Sequence, residues 1–238
     1  MIRLRAMHVF SKPTALSLLL MLTLPLLHAA KIKYHAVGLG AVHFVPYSLE
    51  GDPSGAASGE VKLRVRPLIV DGKVKDWTTG EQHYVTERSF TVRRAMRIND
   101  ALPTDRREHW VWQRGPWLLV DRDTGRITAL RLPDYDPAVS RVVWFRDYAA
   151  YCGLAASGKQ LYAVVAQLAV RRPVLKKKLG SWNLTDHPTP ACASAVWQRD
   201  PLQISFTPTG GASESFNLIG SSAVLVEDSD SGDSSSSN

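Results

Sequence analysis

An all-β fold is predicted by three features of this chain. Short alternating or β-branched runs recur along it. Gly, Pro and Asp punctuate those runs at short intervals, and only one segment carries helical spacing. The expected architecture is a set of antiparallel meanders packed as a β-sandwich, with a small propeller-like arrangement as the alternative.

The N-terminal thirty residues stand apart. Arg3, Arg5 and Lys12 occur without an acid, Thr14–Leu27 is apolar, and His28-Ala29-Ala30 closes the segment with small residues. That order of charged, apolar and small residues is how a secretory signal peptide reads. A membrane span needs about 20 apolar residues. Here Thr14–Ala30 is short of that and Pro25 interrupts it, so no stable transmembrane anchor is expected after cleavage. Cleavage after Ala30 is the first expectation and after Ala29 the second. The implied location is secreted or periplasmic.

Residues 31–226 are expected to form one all-β domain, large enough for a substantial core. The stretch Gly51–Gly59 is small and polar, as a loop should be. Residues 227–238, EDSDSGDSSSSN, hold nothing apolar to offset ordering entropy and are expected to be a disordered acidic tail. The chain has 29 basic and 22 acidic residues, a net charge of +7. Removing the signal peptide leaves 26 against 22, or +4. Four of those acids lie in the tail, so the body stands near +8.

Along the mature chain, Val61–Arg66 alternates apolar and basic residues, as a strand with one wet face does. Pro67 then marks an edge or a bulge. Asp71-Gly72 supplies a two-residue hairpin turn between Leu68–Val70 and Lys73–Lys75. A strand bent at Arg94 is predicted over Tyr84–Ile98. Trp110–Trp112 and Trp117–Val120 lie either side of Gly115-Pro116, Asp121–Gly125 makes a turn, and Ile127–Leu132 returns. Pro133–Pro137 is a loop, and Val142–Tyr148 is again rich in β-forming residues. In Leu161–Ala169 the positions Leu161, Val164, Val165 and Leu168 fit a helix. Gly158-Lys159 also fits a hairpin turn, and strand is the preferred reading. An ungapped repeat at an 85-residue offset relates Val111-Trp112-Gln113-Arg114-Gly115-Pro116 to Val196-Trp197-Gln198-Arg199-Asp200-Pro201, and Thr124-Gly125 to Thr209-Gly210. Trp112 and Trp197 are accordingly expected at equivalent places in the sheets. Core packing is preferred for them over a Trp/Arg ligand platform.

Candidate chemistry is sparse. Cys152 and Cys192 are the only cysteines, and in an oxidising compartment an even pair is expected to join. The histidines His35, His43, His83, His109 and His187 show no metal-ligand spacing. No nucleophile elbow or phosphate-binding glycine loop occurs, and no cofactor is expected. Asp134 and Asp136 read as turn caps, and Asp147 as the partner of a nearby arginine. Basic groups are more plentiful: Arg171, Arg172, Lys176, Lys177 and Lys178 flank one apolar tripeptide, and Arg93, Arg94 and Arg97 form a second cluster. Lysines at a strand edge oppose edge-to-edge pairing, and the same groups can form an anion-binding edge. Asn183-Leu184-Thr185 matches a glycosylation sequon. The leading expectation is a noncatalytic envelope or extracytoplasmic domain that binds or organises a partner through its basic edge. That partner would be an anionic envelope component or another exported protein, not nucleic acid. The alternative is a secreted hydrolase with a site assembled from scattered Asp, His and Trp residues.

Overall fold

The structure is a computed structural model and describes residues 34–48, 62–183, 190–220 and 222–225. The leader 1–30, the stretch 51–59, His187 and the tail 227–238 lie outside the described residues, as does most of the sequon. Every regular element described is a strand, and every strand-to-strand ladder is antiparallel. No helix long and apolar enough to cross a membrane occurs among the described residues.

The first sheet holds β1 (Val37–Leu39), β2 (His43–Pro46), β3 (Lys62–Val70), β4 (Lys73–Thr86), β5 (Ser89–Asn99), β6 (Trp110–Asp121) and β7 (Ile127–Ala129). Its order is β1-β3-β4-β5-β6-β7, with β2 also paired to β3. In β3 Leu63 and Val65 are buried while Lys62 and Arg64 face water, as the alternation predicted. Pro67 is neither at the end of the strand nor on an outer strand. It sits where the partner of β3 changes, because β2 pairs as far as Val65 and β1 begins at Leu68. A residue without an N–H costs no ladder bond at that changeover. Its carbonyl still accepts from the Gly40 N–H at 2.8 Å. Asp71 and Gly72 both adopt positive φ (51° and 75°), the conformation a primed two-residue hairpin requires. The sheet curls until Tyr47, just past β2, bridges Trp112 of β6. Leu63, Val65 and Ala95 fill that end and Leu68, Phe90, Val92, Leu118 and Val120 the other.

Two expected segments are corrected here. Tyr84–Ile98 is not one strand: β4 ends at Thr86, turns through Glu87-Arg88 and returns as β5 from Ser89. Glu-Arg lacks the Gly or Asn that announces a tight turn, so pairing of the flanking strands decides the site. Conversely, Gly115-Pro116 does not separate two strands. Strand β6 runs straight through, and these two residues stand opposite the single Arg94 of β5, between the pairs Arg93↔Trp117 and Ala95↔Arg114. This is a β-bulge, which tolerates proline and bends the strand. The expected bend at Arg94 is its counterpart on β5.

The turn after β6 is held by a carboxylate. Asp121 Oδ1 accepts the N–H groups of Asp123 (2.8 Å) and Thr124 (3.0 Å). Those amides, Thr124 foremost, hold its pKa below the ordinary carboxylate value. A depressed folded-state pKa contributes stability above the unfolded value of about 3.9, lost as pH falls through the folded value. Asp121→Asn is therefore expected to be less stable than the parent at neutral pH. The gap should narrow below about pH 4, as read by thermal melts across pH.

The second sheet holds β8 (Val143–Phe145), β9 (Tyr148–Leu154), β10 (Gln160–Gln167) and β11 (Leu175–Ser181), in the order β11-β10-β9-β8. The third holds β12 (Val196–Gln198), β13 (Gln203–Phe206), β14 (Glu214–Ile219) and β15 (Ser222–Leu225), in sequence order. The expected run Val142–Tyr148 is broken by a turn at Arg146-Asp147, with Arg146 at positive φ (51°). The two sheets pack face to face as a sandwich. Ala150, Cys152, Leu154, Leu161, Ala163 and Val165 from one meet Ile204, Phe206, Phe216 and Leu218 from the other. The second sheet is buried on its other face as well, where Ala149, Tyr151, Val164 and Ala166 are covered by Leu132, Tyr135, Val142 and Trp144. Strand is thus the state of 160–167, and burial of both faces accounts for its helix-like apolar spacing.

The 85-residue repeat does not generate repeated blades. Trp112 lies within β6 of the seven-stranded sheet, edge-on to Trp77 at 5.6 Å. Trp197 is the middle of three-residue β12, against Phe145 and Tyr148. After Trp112 the strand continues; after Trp197 it ends in a turn containing a cis Asp200–Pro201 bond. Their expected equivalence does not hold. Only the turns correspond, with Gly125 and Gly210 both at positive φ.

Candidate binding surface

The cysteine pair is joined. Cys152 in β9 and Cys192, just before β12, have Cα atoms 6.3 Å apart and form the disulfide. It links β9 to the coil that precedes β12, inside the core the two sheets share. Ser140 fixes the neighbourhood: its buried hydroxyl donates to the Cys152 carbonyl (2.8 Å) and accepts the Cys152 N–H (2.9 Å). Neither sulfur is a free thiol, so thiol nucleophile chemistry has no group here.

The predicted basic residues fall on one hairpin. Arg171 and Arg172 lie in the β10–β11 connection, and Lys176, Lys177 and Lys178 run along β11, which is the outer strand of its sheet. All five are exposed. Opposite the three lysines, in order, across the ladder are Val164, Ala163 and Tyr162 of β10. One of the five is already paired with an acid. Lys176 Nζ is 2.6 Å from Asp134 Oδ2 and 4.8 Å from the Tyr162 ring centre. The outward set is therefore Arg171, Arg172, Lys177 and Lys178. The second expected cluster disperses: Arg93 is buried, Arg94 pairs with Asp76 at 3.0 Å, and Arg97 lies over Trp110.

Acids and histidines are engaged singly. His35 meets Asp71 at 2.7 Å, His109 meets Asp100 at 2.6 Å, and His43 packs edge-on to Trp77. His83 stacks on Trp144, with its Nε2 at 2.7 Å from the Arg146 carbonyl. Among the described residues no three His, Cys, Asp or Glu side chains gather as a metal site. A cleft beside the β9–β10 turn is lined by both Asp134 and Asp136. Asp134 is held by Lys176, and Asp136 Oδ1 accepts the Ala138 N–H at 2.8 Å, so Asp136 caps the turn that follows it, not the expected one around Tyr135. Asp147 departs from expectation: it accepts from Gln167 Nε2 at 2.8 Å rather than from an arginine. Tyr151 is pushed well above the usual phenol range, chiefly by burial and then by Asp134 and Tyr135. Its hydroxyl donates to the Pro133 carbonyl at 2.7 Å, a structural bond.

A groove of about 470 Å³ that sequence reasoning missed lies between the β6 bulge and the coil following β7. Arg93, Arg114 and Arg131 line it, with Trp117, Leu130 and Tyr135 among its walls. The bulge sets two of these arginines. Arg93 Nε donates to the Gly115 carbonyl at 3.1 Å, and Arg114 lies over the Tyr47 ring and donates to its hydroxyl. The coil is tied alongside by the Leu130 N–H, which donates to the Trp117 carbonyl at 2.7 Å. The available sequence signal was the Gly-Pro bulge opposite Arg94.

No protein-family model matches this chain, and no curated protein matches it in sequence.

Proposed function

We propose that this chain is an exported, noncatalytic binding protein that holds an anionic envelope component or an acidic exported partner against its β10–β11 hairpin. The observation that carries this reading is four exposed cations, Arg171, Arg172, Lys177 and Lys178, on and beside an outer strand. Such a row attracts anions over roughly 8–10 Å at ordinary ionic strength. Export is supported by the N-terminal pattern of residues 1–30 and by the disulfide, which is consistent with an extracytoplasmic location. On this reading the mature chain begins at Lys31 or Ala30 and forms one domain to residue 226.

The competing role for the same lysines is to keep the outer strand from pairing with other chains. Charge reversal separates the two, because glutamate blocks strand pairing as lysine does. The variant R171E/R172E/K177E/K178E is expected to stay soluble and monodisperse. It should lose binding to phosphatidylglycerol vesicles and to polyglutamate, both of which the parent binds in preference to phosphatidylcholine vesicles. A parent that binds neither anionic probe contradicts the proposal.

A further inference from the structure

We infer that the partner is the surface of an anionic phospholipid bilayer, which one end of the sandwich meets by inserting Val170 and Ile219 between its headgroups. This assignment rests on the function proposed above and names its partner. Two links fix how the ends of the sheets correspond. The Tyr148 hydroxyl, at the start of β9, donates to the Gly220 carbonyl at 3.4 Å. At the opposite end Leu179 and Ser181 share a cleft with Pro208 and Gly210. Tyr148 pairs with Phe145 of β8 and with Gln167 of β10, while Gln203 pairs with Gln198 of β12 and with Asn217 of β14. The β8–β9, β10–β11, β12–β13 and β14–β15 connections therefore all lie at the Tyr148 end.

That end carries a particular mixture of side chains. Arg146, Arg171, Arg172 and Arg199 are exposed there, drawn from three of the four connections. The acids of these connections are Asp147, which accepts from Gln167, and Asp200. Among the arginines stand two aliphatic side chains left in water, Val170 at 52% exposure and Ile219 at 66%. A lone exposed aliphatic residue is ordinary. Here two of the three strongly exposed ones described in the two sheets and their connections share one end, the third being Val196 on β12. Val170 is also held in place. Its N–H donates to the Gln167 carbonyl at 3.2 Å, and Ala169 before it adopts positive φ (65°). An alanine in the left-handed region is strained relative to glycine, and such strain marks a position whose geometry is used.

An acidic protein surface would answer the arginines and leave both aliphatic chains in water. A neutral bilayer would take the aliphatic chains and leave the arginines without counter-charges. An anionic bilayer answers both, with guanidinium groups at the phosphates and the apolar side chains at the acyl boundary. Lys177 and Lys178 run back from the tip along β11 and add to the attraction at longer range.

The test follows an environment-sensitive NBD label on Val170→Cys as the full chain binds phosphatidylglycerol vesicles. Cys152 and Cys192 are paired, so no native thiol competes for the label. Ala156→Cys, exposed in the β9–β10 turn at the opposite end, is the control. The label at 170 should brighten severalfold and be quenched by lipids with a nitroxide high on the acyl chain, while the label at 156 changes little. V170S/I219S, an uncharged change at exposed positions, should bind the vesicles at least about tenfold more weakly, with a much smaller loss on polyglutamate. A label at 170 that stays in water on the bound protein, parental vesicle affinity in V170S/I219S, or equal losses on both probes would overturn the inference. Parental binding to polyglutamate without binding to vesicles would overturn it too, and would leave the hairpin as a site for an acidic protein. A parent that binds neither probe removes the proposed function and this inference with it.

Discussion

Reduction of the Cys152–Cys192 bond is expected to lower stability by about 4 kcal/mol, from the entropy of a closed loop of roughly 41 residues. In a protein of this size that corresponds to a fall in Tm of roughly 8–16 °C. The bond joins β9 to the coil before β12, so the cross-link restricts the unfolded chain over all of β10 and β11. Both cysteines are essentially buried in the apolar core, at 1% and 2% exposure. The paired variant C152A/C192A should show the same loss with a further cavity contribution. The hydrogen bonds of Ser140 remain available after reduction, so strand-dominated circular dichroism should persist below the lowered Tm. Melts with and without reductant check this. An unchanged Tm would mean that the sandwich core does not rely on this covalent link.

Phe206→Ala is expected to cost about 3–5 kcal/mol, the usual range for deleting a buried aromatic side chain. Phe206 has no exposure, projects from β13 into the sandwich core, and lies edge-on to Phe216 at 6.1 Å. Neighbours from both sheets line the space it fills, so the cavity cannot close by a single rotamer change. Phe44→Ala in β2 is the matched control, because Phe44 is 69% exposed. It should change stability by less than about 0.5 kcal/mol. Denaturant midpoints of the two variants give the comparison directly.

Strands with one wet face were legible from the sequence. In β3 the Lys-Leu-Arg-Val alternation and the following Asp-Gly locate both the strand and its turn, because each is a local property. Strands buried on both faces lose that period. Leu161 and Val165 face the sandwich core while Val164 faces Trp144 and Tyr135, and the mixture imitates a helix. Turn chemistry misled twice for opposite reasons. Glu87-Arg88 turns without a turn residue, and Gly115-Pro116 carries a strong turn signature yet serves as a bulge. In both places tertiary pairing overrides the local signal.

The candidate sites differ in the same way. The basic hairpin was visible because its cations are nearly contiguous, and the disulfide because only one pairing of two cysteines exists. What the sequence hid was that Lys176 turns toward Asp134, a residue from a distant loop. The groove was hidden for the same reason. Arg93, Arg114 and Arg131 belong to three elements, and only the ladder between β5 and β6 and the coil beside Trp117 bring them together.

The most direct measurement of the central claim is a salt titration of binding to phosphatidylglycerol vesicles by the parent and by R171E/R172E/K177E/K178E. Salt shortens the screening length to roughly 3 Å at 1 M. Parental binding that weakens steadily with salt, with little binding by the variant at any salt, is the predicted result. Parental binding indifferent to salt, or retained in full by the variant, would contradict a function seated on the β10–β11 hairpin.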